Sequence, residues 1–147
     1  MLVIKNITIY VMSLLYIIVG IKHFVDVEYF VSIVPNYISW KKEAVFVSGF
    51  FEILLGILLL FHKTRKLAAL GIILLLIAVF PANIYLYVSE IPRDILNISK
   101  RDALIRIPFQ IPLIIISYWH SEKISSKIFS KTCIILFIPT IIYFISL

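Results

Sequence analysis

The sequence predicts an all-α polytopic membrane helix bundle, with four core transmembrane helices and a fifth, C-terminal one. Three observations predict it. Of the 147 residues, 62% are hydrophobic and 15% charged, and the mean hydropathy is +1.07. A water-soluble chain of this length would need more polar residues to cover its surface. The apolar residues fall in five runs near spanning length, and the bases cluster in the connections flanking those runs, where membrane proteins carry them. A single transmembrane domain over residues 1–147 is expected at this length.

The first run extends from about Ile4 to Phe24 and continues past any small-residue cleavage site, so the start from Met1 to Thr8 reads as part of a retained helix. The second covers about Ala44 to Phe61, the third Leu67 to Val88 and the fourth Ala103 to Trp119. Each is roughly 17 to 22 residues, enough to cross about 30 Å of hydrocarbon at 1.5 Å per residue. The fifth, Thr132 to Leu147, is shorter. It spans if the bilayer thins or if the helix starts earlier and lets Lys127 and Lys131 snorkel; otherwise it is an interfacial tail.

The connections differ in character. His62 to Lys66 is a short basic turn that makes runs two and three an antiparallel hairpin. The first connection, Val25 to Glu43, holds Pro35, Asn36, Tyr37 and Trp40 and reads as a segment lying at the interface. The third, Ser89 to Asp102, is polar and contains Pro92. Tyr37, Trp40, Tyr85, Tyr87, Tyr118 and Trp119 lie near run ends and read as an interfacial belt. A cytoplasmic N-terminus in the cell membrane is expected. It puts seven bases inside (Lys5, Lys63, Arg65, Lys66, Lys123, Lys127, Lys131) against six outside (Lys22, Lys41, Lys42, Arg93, Lys100, Arg101), and it is the density of the second turn that decides. The net charge of +6 therefore reflects topology, and nucleic acid is not an expected partner. Cys133 is the only cysteine, which excludes an internal disulfide or a Cys-x-x-Cys redox pair.

A charged side chain inside a span costs several kcal/mol and usually faces the bundle interior with a partner. Glu52 lies near the middle of run two. Ser48 and Gly56 sit one turn either side of it, and Gly49 is three residues before. Small residues there let a neighbouring helix approach closely, and Gly49 and Gly56 read as packing residues. Arg106 enters run four in its first turn, with Gln110 one turn deeper and Pro108 and Pro112 between and beyond them. Pro81-Ala82-Asn83 places a kink and an amide near the outer end of run three, and His23 follows Gly20 near the outer end of run one. With alternating directions these residues share the outer half. The expectation is a Glu52–Arg106 pair flanked by Asn83, Gln110, Ser48 and His23, lining a pocket open to the outer face. The same residues could serve only to lock helix register. His23 by itself reads more readily as an interface anchor, and Arg106 as near enough to a helix end to snorkel outward. His62 and His120 at inner helix ends are a poor haem pair, because bis-histidine sites sit inside a bundle. No phosphate loop, metal-spaced set or activated serine is present.

Gly20-x-x-His23-Phe24, Ile33-Val34-Pro35, Ser48-Gly49-x-x-Glu52-x-x-x-Gly56, Thr64-Arg65, Val79-Phe80-Pro81-Ala82-Asn83 and Arg106-Ile107-Pro108-Phe109-Gln110 resemble the DoxX-like family of small membrane proteins. The DoxX-like core would cover about residues 4–120, leaving a tail or fifth helix at about 121–147 that departs from the usual pattern. The resemblance implies a four-helix bundle in the bacterial cytoplasmic membrane. Some members are similar to the small subunit of a thiosulfate:quinone oxidoreductase, and distant relatives look like chaperones for membrane receptors. The expected function is thus an accessory or small-ligand-binding subunit of a membrane redox or assembly complex, without independent catalysis. Quinone is the one cofactor the resemblance brings in. The alternatives are a quinone-linked oxidoreductase subunit in which Glu52 relays protons, and a structural or chaperone-like protein without a ligand. Expected partners are the lipid bilayer, a membrane or redox partner protein, and a second copy of the chain.

Overall fold

The computed structural model describes residues 2–146, so Met1, in the start expected to belong to the first helix, and Leu147, the end of the fifth expected segment, lie outside it. Seven helices occur among the described residues: α1 (Leu2–Val25), α2 (Val27–Ser32), α3 (Lys41–Leu60), α4 (Arg65–Val88), α5 (Glu90–Leu96), α6 (Lys100–Ser121) and α7 (Lys127–Ile145). The protein is all-helical, and five of these helices are long and apolar enough to cross a membrane.

The long helices correspond to the five expected runs. The fifth begins five residues before Thr132, at Lys127, behind a Ser126 cap whose hydroxyl accepts from the Phe129 amide. That extension supplies the length the sequence lacked after Thr132. α7 packs along α6 and touches α1, so it belongs to the bundle. α4 runs through Pro81, α6 through Pro108 and Pro112, and α7 through Pro139.

Neighbours follow the order α1, α3, α4, α6, α7, with α7 returning to α1. The α1–α3 contact is the most extensive, and glycine makes it so. A Cβ on Gly49 would lie 2.6 Å from the Cβ of His23, and one on Gly56 would lie 3.0 Å from the Ser13 carbonyl. Ser13 Oγ also donates across the seam to Gly56 O at 2.6 Å. The packing role expected of Gly49 and Gly56 is what the backbone spacing requires.

The hairpin turn between α3 and α4 is closed by side chains. Four carbonyls at a helix C-terminus have no intrahelical donor. Here Thr64 Oγ1 donates to Leu58 O at 2.7 Å, Arg65 Nε to Leu59 O at 3.1 Å and Arg65 Nη2 to Leu60 O at 3.3 Å. Arg93 does the same for α4. Buried on α5, it donates from Nη1 to the carbonyls of Leu86 at 3.2 Å, Ser89 at 2.7 Å and Tyr87. A base expected only to mark topology is therefore a helix clamp.

The apolar core is centred in the half of the bundle remote from α2 and extends along α7 toward the other end. It is built from Met12, Leu59, Ala68, Ile72 and Ile116, with Phe137 and Ile141 contributed by α7. Its upper members are Tyr16, Leu55, Leu76 and Leu113. Beyond them toward α2, each of α1, α3, α4 and α6 turns polar, at His23, Glu52, Asn83 and Gln110 respectively. The core is the floor of a polar layer.

Trp119 departs from the expected interfacial belt. It is 1% exposed and its Nε1–H is shared by Ser125 Oγ and Ser130 Oγ, because α7 starts early enough to cover it. Tyr37, Trp40 and Tyr118 are exposed as expected.

Candidate functional site

The first connection forms the roof of the polar layer. After α1 ends at Val25, the chain turns at Asp26 into the six-residue helix α2, which packs on α1, α3 and α5. Two adjacent aromatic residues of α2 reach different parts of the layer. The Phe30 ring stacks on the His23 imidazole with centroids 3.7 Å apart and planes at 22°. The Tyr29 hydroxyl accepts a hydrogen bond from Arg106 Nη1 at 3.1 Å.

This arrangement overturns the expected Glu52–Arg106 pair. Among the described residues the two acid–base contacts within 4 Å are His23–Glu52, an ion pair only when the imidazole is protonated, and the exposed Lys42–Glu28. Arg106 is half-buried and turned to α2, beside Tyr143, whose ring stacks on Phe109 at 4.0 Å. It therefore neither pairs with Glu52 nor snorkels freely outward. The physical reason is the folding-back of α2, which brings a phenol within reach of the guanidinium.

His23 is also not an interface anchor. It is buried, with Nδ1 2.9 Å from the Val19 carbonyl and 3.3 Å from Glu52 Oε2. A carbonyl can only accept, so the Nδ1 proton goes to Val19, and Glu52 Oε2 keeps no hydrogen bond among the described residues. The α1–α3 glycine contact sets this level. With Gly20 against Gly49 and Ile53, the end of α1 sits beside the second turn of α3, and His23 comes down to Glu52.

Glu52 is not alone in lacking a partner. Ser48 Oγ, Arg106 Nε, Gln110 Oε1 and Tyr16 OH are buried without a hydrogen bond among the described residues. Tyr16 neighbours Glu52. Tyr143 Oη beside Arg106 is a sixth at this end, while Ser117 Oγ and His120 Nδ1 lack partners in the opposite half. Native proteins pair the great majority of such groups, so six at one end of a small bundle require an explanation. Asn83 is half-buried near the same level of α4. The structure thus places all six expected residues in the half of the bundle under α2, but joins only His23 and Glu52 directly. A groove of about 360 Å³ does open at this end, between α2, α5 and the start of α3. It is lined by residues such as Glu28, Ser32, Asn36 and Lys41 and by none of the six expected residues, so this groove lies beside the roof of the layer and not within it.

Tyr29 and Tyr16 were missed by sequence reasoning. Tyr16 sits mid-run among apolar residues, and Tyr29 lies in a connection assigned to the interface. The one available signal was the Tyr29-Phe30 pair in an apolar segment too short to span. Replacing Tyr29 by phenylalanine is expected to remove the Arg106 tie at a cost of about 1 kcal/mol. Hydrogen exchange should then rise in α2 while α1 and α3 amides stay protected; unchanged α2 exchange would show that the tie does not hold the roof.

The pair His62 and His120 offers no haem site. His62 is exposed and accepts from Arg65 Nη1 at 3.0 Å, whereas His120 is buried with Nε2 3.0 Å from Thr8 Oγ1. No group of three metal-binding side chains occurs among the described residues.

No curated protein and no solved structure matches the chain. A family model described as "Domain of unknown function (DUF8561)" matches residues 12–121, from the middle of α1 to the end of α6, and includes all six residues of the polar layer. That match covers well over half of the 147 residues, and the chain belongs to this family of unknown function.

Proposed function

We propose that the protein is an integral membrane subunit that holds a small polar molecule, such as a quinone-like headgroup, in the layer beneath α2. The membrane part of this reading is supported by the surface of the long helices. Leu14 and Ile18 on α1, Phe50 on α3, Leu74 on α4 and Ile135 on α7 are all exposed, on faces a soluble bundle would make polar. The basic residues at the end opposite α2 support a cytoplasmic N-terminus.

The observation that carries the ligand reading is the set of unpartnered buried atoms on α1, α3 and α6. Polar residues that serve only to lock helices would be expected to satisfy one another, because a half-satisfied network is worse than an apolar core. Here the layer presents donors (Arg106 Nε, Ser48 and Tyr16 hydroxyls) and acceptors (Glu52 Oε2, Gln110 Oε1) together. A molecule carrying carbonyl and hydroxyl oxygens, as quinone and quinol do, matches such a mixed set. The groove beside α2 is the natural way in, with α2 as the moving part.

A redox-subunit reading draws on one further observation, the 3.3 Å contact between His23 and Glu52. Two proton-carrying groups in contact beneath the roof are what reduction of a quinone would use. The likeness to DoxX-like proteins rests on the sequence motifs and agrees with an accessory role in a redox or assembly complex. Mass spectrometry of small molecules co-purifying in mild detergent tests the reading. A bound species should be recovered from the native protein and lost from the folded double variant Glu52→Gln, Arg106→Met. Equal recovery from both would sink it.

A further inference from the structure

The end of the bundle opposite α2 has its own cavity, of about 240 Å³, between the start of α1 and the connection from α6 to α7. It is unrelated to the polar layer, and all of its lining residues except Trp119 lie outside the family match. Two lysines line it. Lys5 is held in place: its Nζ donates to the Glu122 carbonyl at 2.6 Å and lies 5.2 Å from the centre of the Trp119 ring. An ammonium has three N–H groups, so two remain for another acceptor. Lys123 is exposed at the mouth.

Two hydroxyls complete the polar wall. Trp119 Nε1 donates to both Ser125 Oγ, at 3.1 Å, and Ser130 Oγ, at 3.2 Å, and the two oxygens are 2.9 Å apart. One serine proton bridges the pair. The other has no acceptor among the described residues, and the indole already occupies a lone pair on each oxygen. The polar lining therefore offers donors, namely two ammoniums and one hydroxyl, and no carboxylate. Glu122 and Arg65 are the charged groups whose fields act on Lys5, one attractive and one repulsive. The rest of the lining is apolar and open to the outside, with Leu2 76% exposed and Ile124 90% exposed.

We propose that this cavity binds the phosphate headgroup of an anionic lipid, with Lys5, Lys123 and the Ser125–Ser130 pair on the phosphate and the acyl chains running along the exposed apolar faces of α1 and α7. A free phosphate ion would meet the same donors but make no use of the apolar walls. The site rests on the membrane reading given above, but not on any ligand in the polar layer. In this position the lipid would fasten the start of α1 to the start of α7, joining a helix of the family core to the helix that lies beyond it.

The test uses the full chain in mild detergent, with native mass spectrometry reporting retained molecules. Phosphatidylglycerol is expected to bind at least about tenfold more tightly than phosphatidylcholine, and Lys5→Gln with Lys123→Gln to remove about that factor. Lys63→Gln with Lys66→Gln removes the same charge from the neighbouring hairpin turn and should leave the preference intact. If the first pair destabilises the fold, Lys123→Gln alone is read, since its exposed side chain makes no hydrogen bond among the described residues. The proposal is overturned by either of two results. One is an equal loss in both pairs, which means general surface charge. The other is glycerol phosphate or inorganic phosphate competing as well as the lipid, which means a free-anion site. A chain that stays soluble and monodisperse without detergent would overturn the membrane reading itself.

Discussion

Gly20→Ala is expected to destabilise the bundle by about 2–3 kcal/mol, among the largest effects of any single methyl group in this chain. The added Cβ would lie 2.7 Å from Gly49 O, 2.7 Å from Ile53 Cγ1 and 2.9 Å from Ile53 N. Two of those three atoms are backbone and cannot rotate away, so α1 and α3 must separate. Separation also withdraws His23 from Glu52, because both are placed by this contact. Gly71→Ala is the matched control. Its Cβ would meet Leu55 Cδ2 at 2.6 Å, the end of a flexible side chain, and the cost should stay below about 1 kcal/mol. Thermal unfolding in one detergent compares the two. Equal or reversed shifts would mean that the α1–α3 seam is not what sets the helix spacing.

Arg93→Met is expected to cost about 2–4 kcal/mol, since hydrogen bonds from a charged donor are worth more than neutral ones and the carbonyls left behind are partly buried. The guanidinium serves Leu86, Tyr87 and Ser89 at once, and Leu86 is fully buried. Methionine keeps the aliphatic stem and removes every donor. The last turn of α4 and the whole of α5 should lose protection in hydrogen exchange, while the α3–α4 hairpin, clamped by its own Arg65, should not. A uniform loss across the chain would show that Arg93 supports the bundle by some other route.

The helices were legible because spanning length and apolar composition are properties of local sequence. The α3–α4 hairpin was legible from the five residues His62 to Lys66, and the glycine faces from the spacing Gly49-x-x-Glu52-x-x-x-Gly56. The depth of the polar residues also followed, since direction alternates and rise per residue is fixed. Their partners did not follow. Pairing depends on how far one helix is shifted along its neighbour and on where the connections fold, and neither is written in composition. The Gly20 contact sets α1 so that its end meets the second turn of α3, which gives Glu52 to His23. α2 folds back over the end of the bundle, which gives Arg106 to Tyr29. Arg93 looked like a topological marker because a helix clamp and a flanking base share one residue type.

The central claim is that the layer under α2 is a binding site and not a lock between helices. The melting temperature of detergent-washed protein carrying Glu52→Leu and Gln110→Leu tests it most directly. Buried polar atoms without partners cost about 1–3 kcal/mol each, so their removal should stabilise the emptied bundle. An emptied binding site predicts a melting temperature several degrees above that of equally washed native protein, together with loss of any co-purifying molecule. A clear fall in melting temperature would contradict it, because it would mean that Glu52 and Gln110 hold the helices together by themselves.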